Sequence, residues 1–210
     1  MNALQSQVKG LDTWTTNEVM RKKHLSISSK SKRSDFPDKW PNWKFEEHKL
    51  RLFQEQIQGW TLDVLKEIKA KVGHSDFAML AVMMAYFENI QKFKDGYDKT
   101  GESELYFTEG LRWVYPKFKT HKDGNFLAKL VYEQARCGMY HVGLTGTKII
   151  LDCSISSGIG IIKRNIKMCP EKLVTNMQQH FDQYIKDLKN PSNSTLRSNF
   201  EKRLKYIWGV

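Results

Sequence analysis

The stretch Asn125-Phe-Leu-Ala-Lys-Leu-Val-Tyr-Glu-Gln-Ala-Arg136-Cys-Gly-Met-Tyr-His141-Val-Gly143 combines a helical pattern with two residues that suit chemistry on a phosphate. Its apolar residues recur at three- and four-residue spacings, which predicts an amphipathic helix over residues 125–141, here called the motif helix. Arg136 is a permanent cation of the kind that binds phosphate. Five positions later, with four residues in between, His141 supplies an imidazole, the side chain that exchanges protons near neutral pH. Together they are the groups needed to cleave RNA without a metal ion.

Apolar periodicity also predicts helices on both sides of the motif helix. These predicted helices cover residues 45–72, 76–94, 103–115, 170–189 and 196–208. The second opens with eleven apolar residues in succession, Phe77 to Phe87, too few to cross a bilayer, and they indicate a buried, central helix. We interpret the methionines within it, Met79, Met83 and Met84, as core packing.

Two short β-type runs follow the motif helix. Residues 148–151 and 159–162 are rich in isoleucine, and the loop between them is rich in serine and glycine, which predicts a β-hairpin. The sequence therefore predicts a mainly all-α fold, a helical bundle with a small β-hairpin inserted after the motif helix.

The first 44 residues differ from the rest of the chain. Six cations and no acidic residue lie within residues 21–33, namely Arg21, Lys22, Lys23, Lys30, Lys32 and Arg33. Two prolines then disfavour helix. We expect a basic, largely irregular N-terminal arm over residues 1–44. Its residues 1–38 have few apolar side chains to bury, and its Trp40 and Trp43 lie against a helical domain at 45–210. The cations are weak candidates for RNA-phosphate contacts, and a solvated tail is the alternative.

Charge and composition narrow the class of partner. The 210 residues include 34 lysines and arginines against 23 acidic residues, a formal net charge of +11. Such an excess of positive charge favours a polyanionic partner, most often nucleic acid. A soluble protein that is simply rich in lysine is an equally good interpretation. The opening residues resemble no secretory signal, so we expect a cytoplasmic protein without a membrane partner.

The three cysteines, Cys137, Cys153 and Cys169, form no Cys-x-x-Cys pair. An odd number without a secretory signal predicts free thiols rather than a disulfide framework. Cys137 and His141 share a helical spacing, but zinc requires four ligands, or three and a water. We therefore expect neither a metal site nor a cofactor.

A straight helix would separate the two motif residues. At about 100° per residue, Arg136 lies on the polar face, and His141 points roughly 140° away, near the apolar face. The polar face also holds Lys129, Glu133 and Tyr140. One interpretation is therefore structural, with Arg136 paired to Glu133 and His141 buried in the core.

Two glycines favour a different interpretation. Gly138 lies between the motif residues and Gly143 lies beyond them, so the helix need not stay regular. Gly138 also removes a side chain from the packing stripe, which would let the same helix of a second protomer approach. Residues on different faces could then meet across a dimer interface.

The positions of Arg136 and His141, late in a helical chain, resemble the Arg-x4–6-His signature of HEPN domains. This family of small helical proteins includes many ribonuclease toxins and anti-phage effectors. The likeness covers about residues 45–210. It implies an up-and-down helical bundle and a homodimer in which the signature residues of both protomers line a shared cleft. The residue after the arginine is often polar in catalytic members, whereas here it is Cys137.

The resemblance implies a metal-independent endoribonuclease, acting as a toxin or in antiviral defence. His141 would take the proton of the ribose 2′-hydroxyl or give one to the leaving oxygen, and Arg136 would stabilise charge on the phosphate. Glu133 would orient Arg136, with Lys129 and Tyr140 in support. Expected partners are RNA, a second copy of the chain, and an antitoxin or other defence-system protein. The alternatives are a non-catalytic HEPN-like dimer that binds RNA or protein, and a helical protein outside the family.

Overall fold

The helices of the structure follow the apolar periodicity of the sequence. The computed structural model describes residues 26–208, apart from the side chain of Trp40. Over this range it has seven helices and three short strands, which confirms the predicted mainly-α fold with a small β insertion. None of the helices in this range is long and apolar enough to cross a membrane. The chain divides into two compact units, Met1–Trp60 and Thr61–Val210.

Helix bounds lie close to the predicted ones. Helix α1 covers residues 45–71, with π-helical segments at Phe45–Leu50 and Gln58–Leu62 and α-helical segments at Arg51–Ile57 and Asp63–Lys71. It is followed by α2 (Asp76–Asp95), α3 (Ser103–Val114), α4 (Lys117–Thr120), the motif helix α5 (residues 124–141), α6 (Pro170–Lys189) and α7 (Ser194–Trp208). Pro170 occupies the first turn of α6, where an N–H would have no helical partner.

The described part of the first unit, from residue 26, begins with little regular structure. Residues 26–44 contain a β-bridge between Ser26 and Lys32 and two 3₁₀ turns, Arg33–Asp35 and Trp40–Asn42. The compact units divide after Trp60, whereas the sequence suggested a boundary after residue 44.

This segment nevertheless buries apolar side chains. Ile27, Phe36 and Trp43 are all buried, and the rings of Phe36 and Trp43 stack with their centroids 4.8 Å apart. The indole N–H of Trp43 donates to the Pro37 carbonyl at 2.7 Å, and the side-chain NH₂ of Gln56 donates to the Ile27 carbonyl at 2.7 Å. The expectation of few apolar residues to bury is therefore wrong at Ile27 and Phe36, whereas Trp43 was expected to be packed.

Helix α2 is central to the second unit, as its apolar run predicted. Its Met79, Met83 and Met84 are buried, which confirms their interpretation as core packing. Helix α3 packs closely along α2 because Gly110 has no side chain: a Cβ there would overlap the Phe87 carbonyl oxygen. The core is completed by Phe107, Leu127, Val131, Phe181 and Phe200 of the surrounding helices.

The β insertion pairs differently from the predicted hairpin. Strands β1 (Ile149–Leu151) and β2 (Ile159–Ile162) lie where expected, but β3 (Asn165–Met168) lies between them in the sheet. Strand β3 is antiparallel to β2 and parallel to β1, so the hairpin consists of β2 and β3. The sequence interpretation missed β3 because its polar–apolar alternation lasts only four residues, too short a signal to stand alone.

Cys153 and Cys169 form a disulfide, with their Cα atoms 4.6 Å apart, so the prediction of free thiols is wrong for these two. Cys153 follows the end of β1 and Cys169 follows the end of β3. Because the two strands run parallel and end together, they bring the cysteines side by side. Cys137 is a free thiol, as predicted.

Removing this disulfide should lower the free energy of unfolding. The bond closes a loop with a sequence separation of 16. Without the bond the unfolded chain is less constrained, which lowers the free energy of unfolding by about 3 kcal/mol. In urea denaturation, Cys153→Ser and the reduced wild-type protein should both unfold at lower urea concentration than the oxidised protein. Cys137→Ala is the matched control and should unfold with the wild type. Equal midpoints for Cys153→Ser and the oxidised protein would contradict this expectation.

Candidate functional site

The motif helix α5 changes its geometry at the motif. It is α-helical over Gly124–Val131, π-helical over Tyr132–Cys137 and α-helical over Gly138–His141. A π-helical turn holds more residues than an α-helical one, so the rotation from Arg136 to His141 is smaller than a straight α-helix would give. Gly143 then adopts a φ of 75°, the left-handed conformation common just after a helix C-terminus.

After α5 the chain folds back and fills the space beside Gly138. The N–H of Gly146 donates to the Gln134 carbonyl at 2.9 Å, and the N–H of Lys148 donates to the Gln134 side chain at 2.9 Å. A Cβ on Gly138 would lie 2.5 Å from the Leu144 carbonyl oxygen. The predicted role of Gly138 in admitting a second protomer is therefore wrong, because the glycine admits the chain's own turn.

Arg136 is held on several sides. Its guanidinium lies 3.4 Å from the carboxylate of Glu88 on α2. It also lies over the rings of Tyr132 and Tyr140, at 5.6 and 4.8 Å from their centroids. The Arg136 side chain remains 21% exposed. These contacts fix a cation in one position while leaving part of it open to a ligand.

Glu88 is the hub of this cluster. Lys92, one turn further along α2, lies 2.5 Å from its carboxylate, and the hydroxyl of Ser103 donates to the same oxygen at 2.8 Å. Burial acts to raise the pKa of Glu88, but the hydrogen bonds from Lys92 and Ser103 and the charges of Lys92 and Arg136 outweigh it and lower the pKa. The carboxylate is thus charged at neutral pH.

Sequence reasoning missed Glu88 and Lys92. Their spacing of four residues on a predicted helix is a signal for an ion pair. Nothing in the sequence indicates that Arg136 joins them, because it lies 48 residues further along the chain and meets them only through helix packing.

His141 is exposed, and within residues 26–208 its side chain makes no hydrogen bond or ion pair. The interpretation of His141 as a buried core histidine is therefore wrong. The helix ends at this residue, and the following turn covers Gly138 rather than the imidazole. An open imidazole can accept or donate a proton.

The supporting residues are arranged differently from the prediction. Glu133 is close to Lys129, at 3.9 Å, while Arg136 takes Glu88 as its carboxylate partner, so the predicted pair of Glu133 and Arg136 is not formed. Lys129 is closer to Glu104 on α3, at 3.1 Å. Of the three predicted supporting residues, Tyr140 is the one that contacts Arg136.

An exposed apolar strip adjoins the motif. Tyr140, Val142 and Leu144 are 52%, 72% and 59% exposed. They lie at the end of α5 and in the turn that follows, on either side of His141 in sequence. Three large apolar side chains exposed so close together are typical of an interaction surface.

The predicted basic contacts in the N-terminal segment are only partly described. Arg21, Lys22 and Lys23 lie outside the described residues. Lys30 and Lys32 are exposed. Arg33 has a structural role, since its guanidinium donates to the carbonyls of Phe36 and Asp38, each at 3.0 Å. Lys30 and Lys32 therefore keep open charges for a polyanion, and Arg33 is already engaged.

The arrangement at the motif thus consists of a held arginine, Arg136, and an open histidine, His141, at the end of one helix. Over residues 26–208, no three or more histidine, cysteine, aspartate or glutamate side chains are grouped so as to hold a metal ion. Comparisons of the chain with protein-family models, with curated proteins and with solved structures found no match.

Proposed function

We propose that this protein is an endoribonuclease of the HEPN type that cleaves RNA without a metal ion. The observation that carries the proposal is the pairing of a held cation with an open imidazole. Arg136 is fixed by Glu88 and two tyrosine rings, whereas His141, at the end of the same helix, is exposed. A positive charge that is already fixed in place stabilises a transition state better than a mobile charge does, because the protein need not reorganise during the reaction.

The proposed reaction uses the RNA as its own nucleophile. The ribose 2′-hydroxyl attacks the adjacent phosphorus, the bond to the 5′-oxygen breaks, and a 2′,3′-cyclic phosphate forms. His141 takes the proton of the 2′-hydroxyl or gives one to the 5′-oxygen. Arg136 stabilises the charge that gathers on the phosphate oxygens. In a symmetric dimer, two copies of His141 would be present to take the two roles.

Incubation with labelled single-stranded RNA, with and without a chelator, tests this proposal. We expect fragments to appear at equal rates in both, because neither the nucleophile nor the charge stabilisation comes from a metal ion. Loss of cleavage with chelator, restored by added divalent cation, would contradict the metal-independent mechanism.

We expect the protein to form a homodimer through the strip of Tyr140, Val142 and Leu144. The strip lies beside the motif, so a second copy seated there would bring two motifs together. The double variant Val142→Glu/Leu144→Glu should be monomeric in sedimentation at micromolar concentration and should lose RNA cleavage. The control is Val72→Glu, at a residue that is 54% exposed after α1, and it should sediment as the wild type does. A monomeric wild-type protein would refute this expectation.

The basic N-terminal segment should contribute to RNA affinity. Changing the three cations at residues 21–23 to glutamine should weaken RNA binding and make its salt dependence shallower. Log affinity decreases with log salt, and the magnitude of this slope should be smaller by about 0.7 for each phosphate of a single strand that these cations neutralise. The control neutralises three exposed lysines on α6 and α7, namely Lys186, Lys189 and Lys205. Equally weakened binding in both variants would mean that net charge, and not this segment, determines affinity.

The proposal includes a role as a toxin or defence effector, with an antitoxin or other defence-system partner, in the cytoplasm. The cytoplasm is a reducing compartment, which would keep Cys153 and Cys169 as thiols. The motif lies on α5, outside the loop closed by Cys153 and Cys169. Cleavage should therefore persist when this disulfide is reduced.

A second candidate function is a non-catalytic module that binds RNA or protein. Two observations favour this candidate. Arg136 is paired with Glu88, an interaction that also suits a purely structural role. The residue that follows Arg136 is Cys137, a thiol. This candidate predicts that RNA is bound and stays intact. The RNA incubation described above separates the two functions.

A further inference from the structure

An open cleft of about 460 Å³ lies in the second unit, away from the motif residues. One side is formed by the link from α3 to α4, with Val114, Pro116 and Lys117, and another by α6, with Asn176 and His180. Ser157, in the loop before β2, adds to the polar lining, as do Tyr115 and Gln179. The volume is within the range of small-molecule sites.

Lys117 gives this cleft a positive charge without a counter-charge. Its ammonium donates to the Ser157 hydroxyl at 3.2 Å and to the Ile159 carbonyl, and it lies 5.4 Å from the centroid of the Tyr115 ring. Within residues 26–208 it forms no ion pair with a carboxylate. Burial lowers the pKa of Lys117. A half-buried ammonium held only by neutral groups gains from a bound anion.

Asn176 supplies a second donor. Its side-chain oxygen accepts from the Tyr115 hydroxyl at 3.0 Å and from the N–H of Gly158 at 2.8 Å. Because a backbone N–H can only donate, the oxygen of Asn176 must face Gly158. The amide NH₂ therefore points elsewhere, and within the described part of the chain it has no acceptor.

His180 adds an uncharged wall to the cleft. Its Nδ1 lies 2.9 Å from the Tyr86 hydroxyl, and its buried Nε2 has no hydrogen-bond partner within residues 26–208. Burial, with a smaller contribution from the charge of Lys94, lowers the pKa of His180 to about 4, so the ring is neutral at physiological pH. Lys117 thus supplies the charge that an anion would meet, and Val114 and Pro116 supply an apolar surface.

We propose that this cleft binds a small organic oxyanion, a carboxylate or phosphate on an apolar body. The oxyanion accepts hydrogen bonds from Lys117 and Asn176, and the apolar body lies against Val114 and Pro116. This site is separate from the ribonuclease motif and does not depend on it.

Titration of the isotope-labelled full chain with benzoate, phenyl phosphate and benzamide, followed by amide NMR shifts, tests the proposal. At least one of the two anions should bind in the millimolar range or tighter and shift the amides of Lys117, Ser157 and Gly158. The neutral isostere benzamide should bind at least about tenfold more weakly, since a hydrogen bond to a charged group adds that much or more. Tighter binding of benzoate would indicate a carboxylate ligand, and tighter binding of phenyl phosphate a phosphate ligand.

Lys117→Met, which removes the charge and keeps most of the side-chain length, should weaken binding of the anion about tenfold. Lys119→Met is the matched control, since this exposed lysine lies on the same short helix and does not line the cleft. Equal effects of the two variants, equal binding of benzamide, or shifts located elsewhere would overturn the proposal. If Lys117→Met does not fold, the comparison of anion and benzamide on the wild type still decides.

Discussion

RNA cleavage should fall by about 100- to 10,000-fold in His141→Ala, the range by which a general acid or base accelerates proton transfer. His141 is exposed and makes no hydrogen bond or ion pair within residues 26–208, so its removal should leave the melting temperature unchanged. Arg136→Lys should reduce cleavage in the same way. Lysine keeps the positive charge but lacks the planar fork that meets a phosphate and stacks between two tyrosine rings.

The control for His141→Ala is His74→Asn. His74 is also exposed, in a turn with a φ of 58°, where asparagine is among the residues that tolerate the left-handed conformation. Both variants remove one exposed histidine, and only His141→Ala should lose cleavage. Full activity of His141→Ala would exclude His141 from the chemistry. A large fall in its melting temperature would instead indicate a structural role.

Glu88→Gln should be strongly destabilising, lowering the free energy of unfolding by about 3 kcal/mol. The glutamine keeps the shape of the side chain but leaves two half-buried or buried cations, Arg136 and Lys92, without their shared counter-charge. Glu67→Gln is the matched control, since Glu67 pairs with Lys71 on the surface of α1 at 2.5 Å. Exposed pairs of this kind contribute little to stability, because water and salt screen them. Similar urea midpoints for the two variants would mean that the Glu88 cluster is not a buried ionic centre.

The same cluster should make stability depend on pH. The pKa of Glu88 is lower in the folded protein than in the unfolded chain, so its stabilisation is complete above the unfolded pKa. That stabilisation is lost as the pH falls through the folded pKa, where the carboxylate takes up a proton. Glu88→Gln should therefore reduce the difference in urea midpoint between neutral and acid solution. An unchanged difference would contradict the assignment of the lowered pKa to Glu88.

The helices could be predicted from the sequence because their signals are local. The apolar run beginning at Phe77 defined α2, and the loss of period beyond His141 defined the end of α5. The bounds of a helix follow from the spacing of residues about one turn apart. The same spacing predicted that the methionines of α2 are buried.

Features that depend on distant residues could not be predicted in this way. Strand β3 gains its place by pairing on both sides, and the disulfide follows from the parallel alignment of β1 and β3. Glu88 reaches Arg136 only because α2 packs against α5. For Gly138, the sequence showed that a side chain was missing but not that the turn at Leu144 fills the space.

The chemistry at the ends of the RNA fragments tests the proposed reaction most directly. Fragments made by the wild-type protein, and not by His141→Ala, should end in 2′,3′-cyclic phosphate or 3′-phosphate, because the ribose hydroxyl is the nucleophile. Mass spectrometry of the fragments distinguishes these ends. Fragments that end in 3′-hydroxyl, or RNA that stays intact with the wild-type protein, would contradict a ribose-directed ribonuclease built on Arg136 and His141.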